Sequence, residues 1–184
     1  MNNLNIEDTP LKDLKIITRR NISDDRGFLS RIFCSEELHQ AGWHKSIKQI
    51  NHTYTNNKGT IRGMHFQRSP DCEMKLVNCL KGEVYDVAVD LRIESDTFLQ
   101  HYAIRLDETL NRSLLIPEGF AHGFQALTNK VELLYLHSHQ YSQSSEDGLN
   151  PIDPKLDISW PIKDHQISDK DKSRQLIINN FKGI

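Results

Sequence analysis

The run Glu83-Val84-Tyr85-Asp86-Val87-Ala88-Val89-Asp90-Leu91-Arg92 decides the fold class. Alternate residues of a strand point to opposite faces, so Val84, Asp86, Ala88 and Asp90 share one side and Tyr85, Val87, Val89 and Leu91 the other. The second face is apolar and belongs to a core. The first presents Asp86 and Asp90, which suits the polar interior of a barrel mouth or a solvated surface. Outward from this run, further strands are predicted at Lys15 to Thr18, Lys45 to Thr53, Met74 to Leu80 and Leu99 to Leu106. Others follow at Arg112 to Ile116, Gly123 to Leu127 and Val131 to His137, with a short one in the segment Gly59 to Gln67. Turn signals separate them at Asn56-Asn57-Lys58-Gly59, Lys81-Gly82, Glu118-Gly119 and Thr128-Asn129. One helix is expected from Ser35, with Ser35 as N-cap, Glu36 and Glu37 in its first turn and Gly42 as its stop. Many short strands at such spacing predict an antiparallel sandwich or barrel. Past about Asp147 the alternation fades. Pro151, Pro154 and Pro161 predict a segment that wraps the barrel, with a short helix after Ser168. The expectation is one domain over residues 1–184, mainly β, with a C-terminal wrapping segment from about 147.

Composition narrows the function. With 23 basic and 25 acidic residues among 184, the formal charge of -2 gives no sign of a nucleic-acid or membrane surface. Any anionic ligand must therefore meet local cations. No apolar run approaches membrane-spanning length, and Met1 to Asn5 carries neither a basic region nor an apolar core, so an unexported, cytoplasmic protein is expected. Cys34, Cys72 and Cys79 are odd in number and form no Cys-x-x-Cys pair, as expected of reduced thiols rather than a disulfide or zinc site.

Two segments carry candidate chemistry. Gly59-Thr60-Ile61-Arg62-Gly63-Met64-His65-Phe66-Gln67 sets a cation and an imidazole on one short strand, a pairing suited to holding an anion while removing a proton. Pro117-Glu118-Gly119-Phe120-Ala121-His122-Gly123-Phe124 supplies a second histidine, and Lys75 follows His65 by ten residues. His65, Gln67, Glu73 and His122 stand in the order of the cupin superfamily's two signature motifs, which the chain resembles. Gln67 replaces the second histidine of the usual His-x-His pair, which leaves a poor ligand set, so no metal is expected. Singly, each of these side chains has a plainer reading, as a packed histidine, a solvated charge or a core aromatic.

From Arg26 to Asp171 the chain resembles the dTDP-4-dehydrorhamnose 3,5-epimerase family, a metal-independent branch of the cupins. The resemblance rests on Asp25-Arg26-Gly27-Phe28, Gln49-x-Asn51, Arg62 to Gln67, Lys75-Leu76-Val77 and Tyr85 to Arg92. It continues through Ser95-x-Thr97, Pro117 to Phe124, Tyr135 with Tyr141, Asp153-Pro154, Trp160-Pro161 and Ser168-x-Lys170-Asp171. It implies a double-stranded β-helix jelly roll that inverts C3 and C5 of a dTDP-4-keto-6-deoxyhexose through an enolate. No cofactor is implied, and a homodimer is. By the same resemblance His65 is the base, Asp171 the carboxylate that orients it, Lys75 the cation at the enolate oxygen and Tyr135 the acid on the other face. Arg26 and Arg62 would hold the diphosphate, with Arg26 reaching into the neighbouring subunit's site. Gln49 and Asn51 would contact the same linkage or the sugar, Asp86 and His122 the sugar pocket, and Tyr141 the nucleotide. His137 and the remaining histidines match no motif and are expected to be structural or at the surface. Two departures stand out. Arg31 replaces a glutamate common in the family, and Glu146 to Pro154 lacks its tryptophan. The rival readings are a C3-only or C5-only epimerase, another nucleotide sugar, a metal-dependent cupin using His65, Glu73 and His122, and a non-catalytic sugar-nucleotide binder.

Overall fold

The structure, a computed structural model, describes residues 3–179 and 181–184. It opens with β1 (Leu4–Asp8), β2 (Lys15–Arg19), the hairpin β3 (Asn21–Asp24) and β4 (Gly27–Ser30), and the helix α1 (Ser35–His39). Eight strands follow: β5 (Gln49–Thr55), β6 (Thr60–Gln67), β7 (Lys75–Lys81), β8 (Glu83–Asp90), β9 (His101–Asp107), β10 (Arg112–Ile116), β11 (Phe120–Ala126) and β12 (Val131–His137). The C-terminal segment holds β13 (Glu146–Gly148), β14 (Gln166–Ile167) and α2 (Asp169–Lys172). Besides the β3–β4 hairpin, the described residues form two six-stranded sheets, ordered β1-β2-β10-β7-β12-β5 and β13-β6-β11-β8-β9, with β14 added in parallel to β6. This is the cupin jelly roll, mainly β with short peripheral helices. No helix among the described residues is long and apolar enough to cross a membrane.

Burial explains why β8 carried so clear a pattern. Its Val84 and Ala88 face Val77, Leu114 and Leu133 of the other sheet, in the core between the two layers. Its Val87 and Val89, with Leu91 just beyond, pack outward under Leu156, Trp160, Ile167 and Ile177 of the C-terminal segment. Each buried valine or leucine among them contributes about 1.5–3 kcal/mol. Neither face is solvated: Asp86 and Asp90 are wholly buried. Asp90 is satisfied by Arg92, Ser95 and Thr97, which accounts for the Ser95-x-Thr97 motif. A third cluster covers the outside of the first sheet, where Leu76, Leu115 and Leu136 meet Leu38 and Trp43.

Several boundaries differ from expectation. Cys34, not Ser35, is the N-cap of α1, in extended backbone and with no side-chain cap. The helix closes at His39, short of Gly42. Glu37 in its first turn accepts from the backbone N–H groups of Asn3 and Leu4 and pairs with Arg31 at 2.6 Å. β5 begins at Gln49 instead of Lys45, whose ammonium pairs with Glu118. The segment past 146 is not merely draped. Glu146 pairs with Gln67 and Gly148 with His65 along β6, and β14 joins the same strand at Thr60 and Ile61.

One pair of glycines sets the contact between β6 and β11. A Cβ on Gly63 would stand 2.5 Å from the Gly123 Cα, and one on Gly123 would stand 2.6 Å from Met64 Sδ. The strands thus approach more closely than side chains allow, at the register shift beside the paired His65 and His122.

Candidate active site

A cavity of about 480 Å³ opens between the sheets, lined from both. β6 and β11 of the second sheet supply Arg62, His65 and His122. β5, β7 and β12 of the first supply Asn51, Thr53, Lys75, Tyr135 and His137, and the C-terminal segment adds Ser168, Lys170 and Asp171.

His65 Nε2 lies 2.7 Å from Asp171 Oδ1. An ionised carboxylate can only accept, so Nε2 carries the proton and Nδ1 keeps the lone pair, the form a general base requires. Ser168 caps α2 through its hydroxyl, which accepts from the Asp171 N–H at 3.1 Å and fixes the carboxylate at the helix start. Burial pushes the Asp171 carboxyl upward, but the bond from His65, the charge His65 carries once protonated and further hydrogen bonds outweigh this and hold it below the usual range. Asp171 is buried, while the His65 ring is 39% exposed toward the cavity.

Across the barrel, Tyr135 is buried, and that burial, with the Asp86 charge second, raises its hydroxyl well above the ordinary value. It is a neutral donor at any working pH. The Lys75 ammonium, also buried, donates to the His65 carbonyl oxygen at 3.3 Å and pairs with Glu73 at 3.1 Å. His122 Nε2 meets Asp86 Oδ1 at 2.9 Å, and its ring stands edge-on to Tyr135. Arg62 is exposed at the cavity mouth, where its guanidinium reaches the Tyr54 carbonyl at 3.4 Å. Arg62, Lys75 and Lys170 bring three cations to the lining, an arrangement that suits an anionic ligand. Together these groups can take a proton from one side of a bound ligand, stabilise developing negative charge and return a proton from the other side.

The histidines do not converge on a metal. Among the described residues no three His, Cys, Asp or Glu side chains form a ligand cluster. His65 turns to Asp171, His122 to Asp86, and Glu73 is shared by Lys75 and His137. Gln67 bonds the backbone of Asp71, Gln140 and Ser142, so it anchors a loop.

Of the predicted site residues, His65, Lys75, Tyr135, Asp171, Asn51, Arg62 and His122 line the cavity. Asp86 lies behind His122. Gln49 stands behind Asn51, donating to it at 3.1 Å. Tyr141 is exposed at the rim, its hydroxyl donating to Glu146 at 2.9 Å. Arg26 stands apart, at the turn of the β3–β4 hairpin with its side chain 90% exposed and paired to Asp24. Arg31 is held by Glu37 and is not in the lining. Thr53, His137, Glu146 and Lys170 also line the cavity, with no site role expected of them from the sequence. Alternation could have found two of them: His137 is two residues beyond Tyr135, and Thr53 two beyond Asn51.

The sequence pattern of the dTDP-4-dehydrorhamnose 3,5-epimerase family matches residues 8–178. The chain belongs to that family. It is 37% identical over 177 residues to the dTDP-4-dehydrorhamnose 3,5-epimerase of Shigella flexneri, covering 96% of this chain and 97% of that one. The crystal structure of the Legionella pneumophila dTDP-6-deoxy-D-glucose-3,5-epimerase in complex with dTDP-4-keto-L-rhamnose superposes with a TM-score of 0.89. Identity there is 37%, with 94% of this chain and 92% of that chain covered. A dTDP-4-dehydrorhamnose 3-epimerase of Streptomyces niveus is 38% identical over 120 residues, 65% of this chain and 58% of its own.

Proposed function

We propose that the chain is a sugar-nucleotide epimerase that inverts C3 and C5 of a dTDP-4-keto-6-deoxyhexose on the path to dTDP-L-rhamnose or a related deoxysugar. The observation that carries this reading is the His65–Asp171 pair on one sheet's side of the cavity, with Lys75 and Tyr135 on the other. The C4 ketone acidifies the protons on its neighbouring carbons. His65 Nδ1 takes one of them, and Asp171 stabilises the imidazolium that results. The Lys75 ammonium faces the oxygen on which negative charge develops, in a site drier than bulk water. Tyr135, kept neutral by burial, returns a proton to the opposite face, so the centre inverts. Arg62 grips the diphosphate, assisted by Asn51 and Gln49, while His122, oriented by Asp86, borders the sugar and Tyr141 the nucleotide. The ketone supplies the activation, so the reaction needs no cofactor or metal.

Residues 1–184 act as one domain whose segment from about 147 wraps the barrel. The chain works as a homodimer in which Arg26, outside its own cavity, serves the partner's. The exposed Ile22, Phe28 and Leu29 on the same hairpin support that role. Three free thiols suit a reducing cytoplasm.

Deuterium uptake from solvent into dTDP-4-keto-6-deoxyglucose tests the reading. The protein should label both carbons, and His65→Ala should not. Failure of the parent to label either, or equal labelling by the variant, would sink it. A C3-only reaction is the second reading, favoured by the match to a 3-epimerase at like identity. One deuteron incorporated instead of two would select it.

A further inference from the structure

Lys75 belongs to a hydrogen-bond chain that runs beyond the residues assigned so far. Glu73 accepts from its ammonium through Oε1, and the other oxygen, Oε2, lies 2.8 Å from His137 Nδ1. Burial raises the Glu73 carboxyl, but the His137 bond and the Lys75 charge more than offset this, so it is ionised at neutral pH. A carboxylate only accepts, which places the proton on His137 Nδ1 and the lone pair on Nε2. His137 Nε2 therefore accepts from Asn51 Nδ2, 3.3 Å away. The orientation of that amide is set on its far side, where Gln49 Nε2 donates to Asn51 Oδ1 at 3.1 Å. Gln49 Oε1 in turn accepts from the backbone N–H of Tyr141 at 2.9 Å. Each assignment forces the next, so the chain runs with one polarity from Tyr141 to Glu73.

The strands make this arrangement rigid. His137 on β12 stands directly opposite Lys75 on β7 and opposite Gln49 on β5. Its ring is nearly parallel to that of Tyr135, with centroids 5.9 Å apart. The side chains of Glu73, Lys75 and His137 are each about nine-tenths buried.

We propose that Glu73 and His137 are positioning residues that hold the Lys75 ammonium in one orientation at the cavity wall and tie it to the segment bearing Tyr141. The proposal rests on the epimerase reading, in which Lys75 faces the enolate oxygen. A lysine carries three donors on a flexible stem. Glu73 engages one and the His65 carbonyl a second, which leaves the third for the ligand. When His137 no longer anchors Oε2, the carboxylate is free to turn and takes the ammonium with it.

The test compares Glu73→Gln, His137→Leu and His137→Asn in the deuterium-exchange assay. Glu73→Gln and His137→Leu should lower kcat by on the order of tenfold to a hundredfold, the cost of a misplaced catalytic group. KM for the nucleotide sugar should change by less than kcat does, because Arg62 is untouched and only the Asn51 amide loses a partner, in His137→Leu. His137→Asn, whose amide nitrogen stands near the Nδ1 position and still donates to Glu73, should recover most of the loss. Parent-like kcat in the first two variants, a loss carried by KM alone, or an Asn variant no better than Leu would overturn the proposal. A second measurement does not depend on turnover. Nitrogen NMR of the histidine rings should show His137 as the Nδ1–H tautomer, and the Nε2–H tautomer would overturn the chain of bonds. A parent without exchange but with the Nδ1–H tautomer would count against the epimerase reading and still support the chain.

Discussion

Replacing Asp171 with asparagine isolates what its charge does for His65. The two side chains have nearly the same shape, so the 2.7 Å contact survives while the carboxylate is lost. A hydrogen bond to a charged group is worth about 1.5–3 kcal/mol, and the imidazolium formed on proton abstraction is where that charge acts. At about 1.4 kcal/mol per factor of ten, kcat should fall about 10- to 150-fold. KM should barely move, because the carboxylate sits behind the base. The assay is initial-rate deuterium exchange at saturating substrate, and a kcat within about twofold of the parent's would refute the orienting role. The same substitution has a pH signature in stability. Asp171 is held below its ordinary value in the fold, so its ionised form stabilises the native state above the unfolded value near pH 4. That contribution is lost as pH falls through the lower, folded value. The melting-temperature gap between parent and variant should therefore be full at pH 7 and close in acid. A gap that persisted unchanged to pH 3 would mean that ionisation of Asp171 is not what the fold uses.

Tyr135→Phe should lower inversion by about 10²- to 10⁴-fold, the usual worth of a positioned acid, while exchange driven by His65 continues. NMR of the product separates the two, and inversion at the parent rate would rule out the acid. Arg62→Met should weaken thymidine diphosphate binding by about ten- to a hundredfold, the loss of a charge-assisted contact to phosphate. Titration calorimetry reads this directly, and an unchanged Kd would remove Arg62 from the diphosphate site. Gly123→Ala puts a methyl group 2.6 Å from Met64 Sδ and 2.9 Å from the Arg62 carbonyl oxygen. Overpacking of this kind costs about 1–3 kcal/mol, to be read as a lower urea midpoint. A stability equal to the parent's would show that β6 yields without strain.

Legibility followed burial. β10 and β12 have the bounds predicted from alternation, because their inward residues, such as Leu114, Ile116, Leu133 and Tyr135, are all buried. β1 pairs only at a sheet edge, and its Asn5, Glu7 and Asp8 leave too little apolar contrast to register. The β3–β4 hairpin inverts the usual signal, since Ile22, Phe28 and Leu29 are exposed within the chain. β13 is three residues long, below any period a sequence can display. At the site, the bond between His65 and Asp171 spans 106 positions, so no local pattern could reveal it; family resemblance named the partner. His137 was the opposite case. It matches no motif, so a structural or surface histidine is expected there, and the fold instead brings it into the cavity lining beside Tyr135.

Inversion of a carbon centre demands that a proton leave from one side and return from the other. A jelly roll meets that demand through its topology, because the two sheets face each other over one cavity. His65 on β6 belongs to one layer, and Lys75 and Tyr135 on β7 and β12 to the other. A site built on one sheet would present base and acid to the same face and return the proton where it left. His65, the proposed base, nevertheless needs a partner to orient it. That partner comes from the C-terminal segment, pinned to β6 by β13 on one side and β14 on the other, with Asp171 at the start of the next helix. The segment that covers Val87, Val89 and Leu91 is thus also the one that sets the tautomer of His65. A mild loosening, Ile167→Val, costs about 0.5–1.5 kcal/mol of stability. It should nevertheless lower kcat in the exchange assay, because a small shift of α2 breaks a 2.7 Å bond while most of the apolar contact survives; a parent-like kcat would refute this coupling.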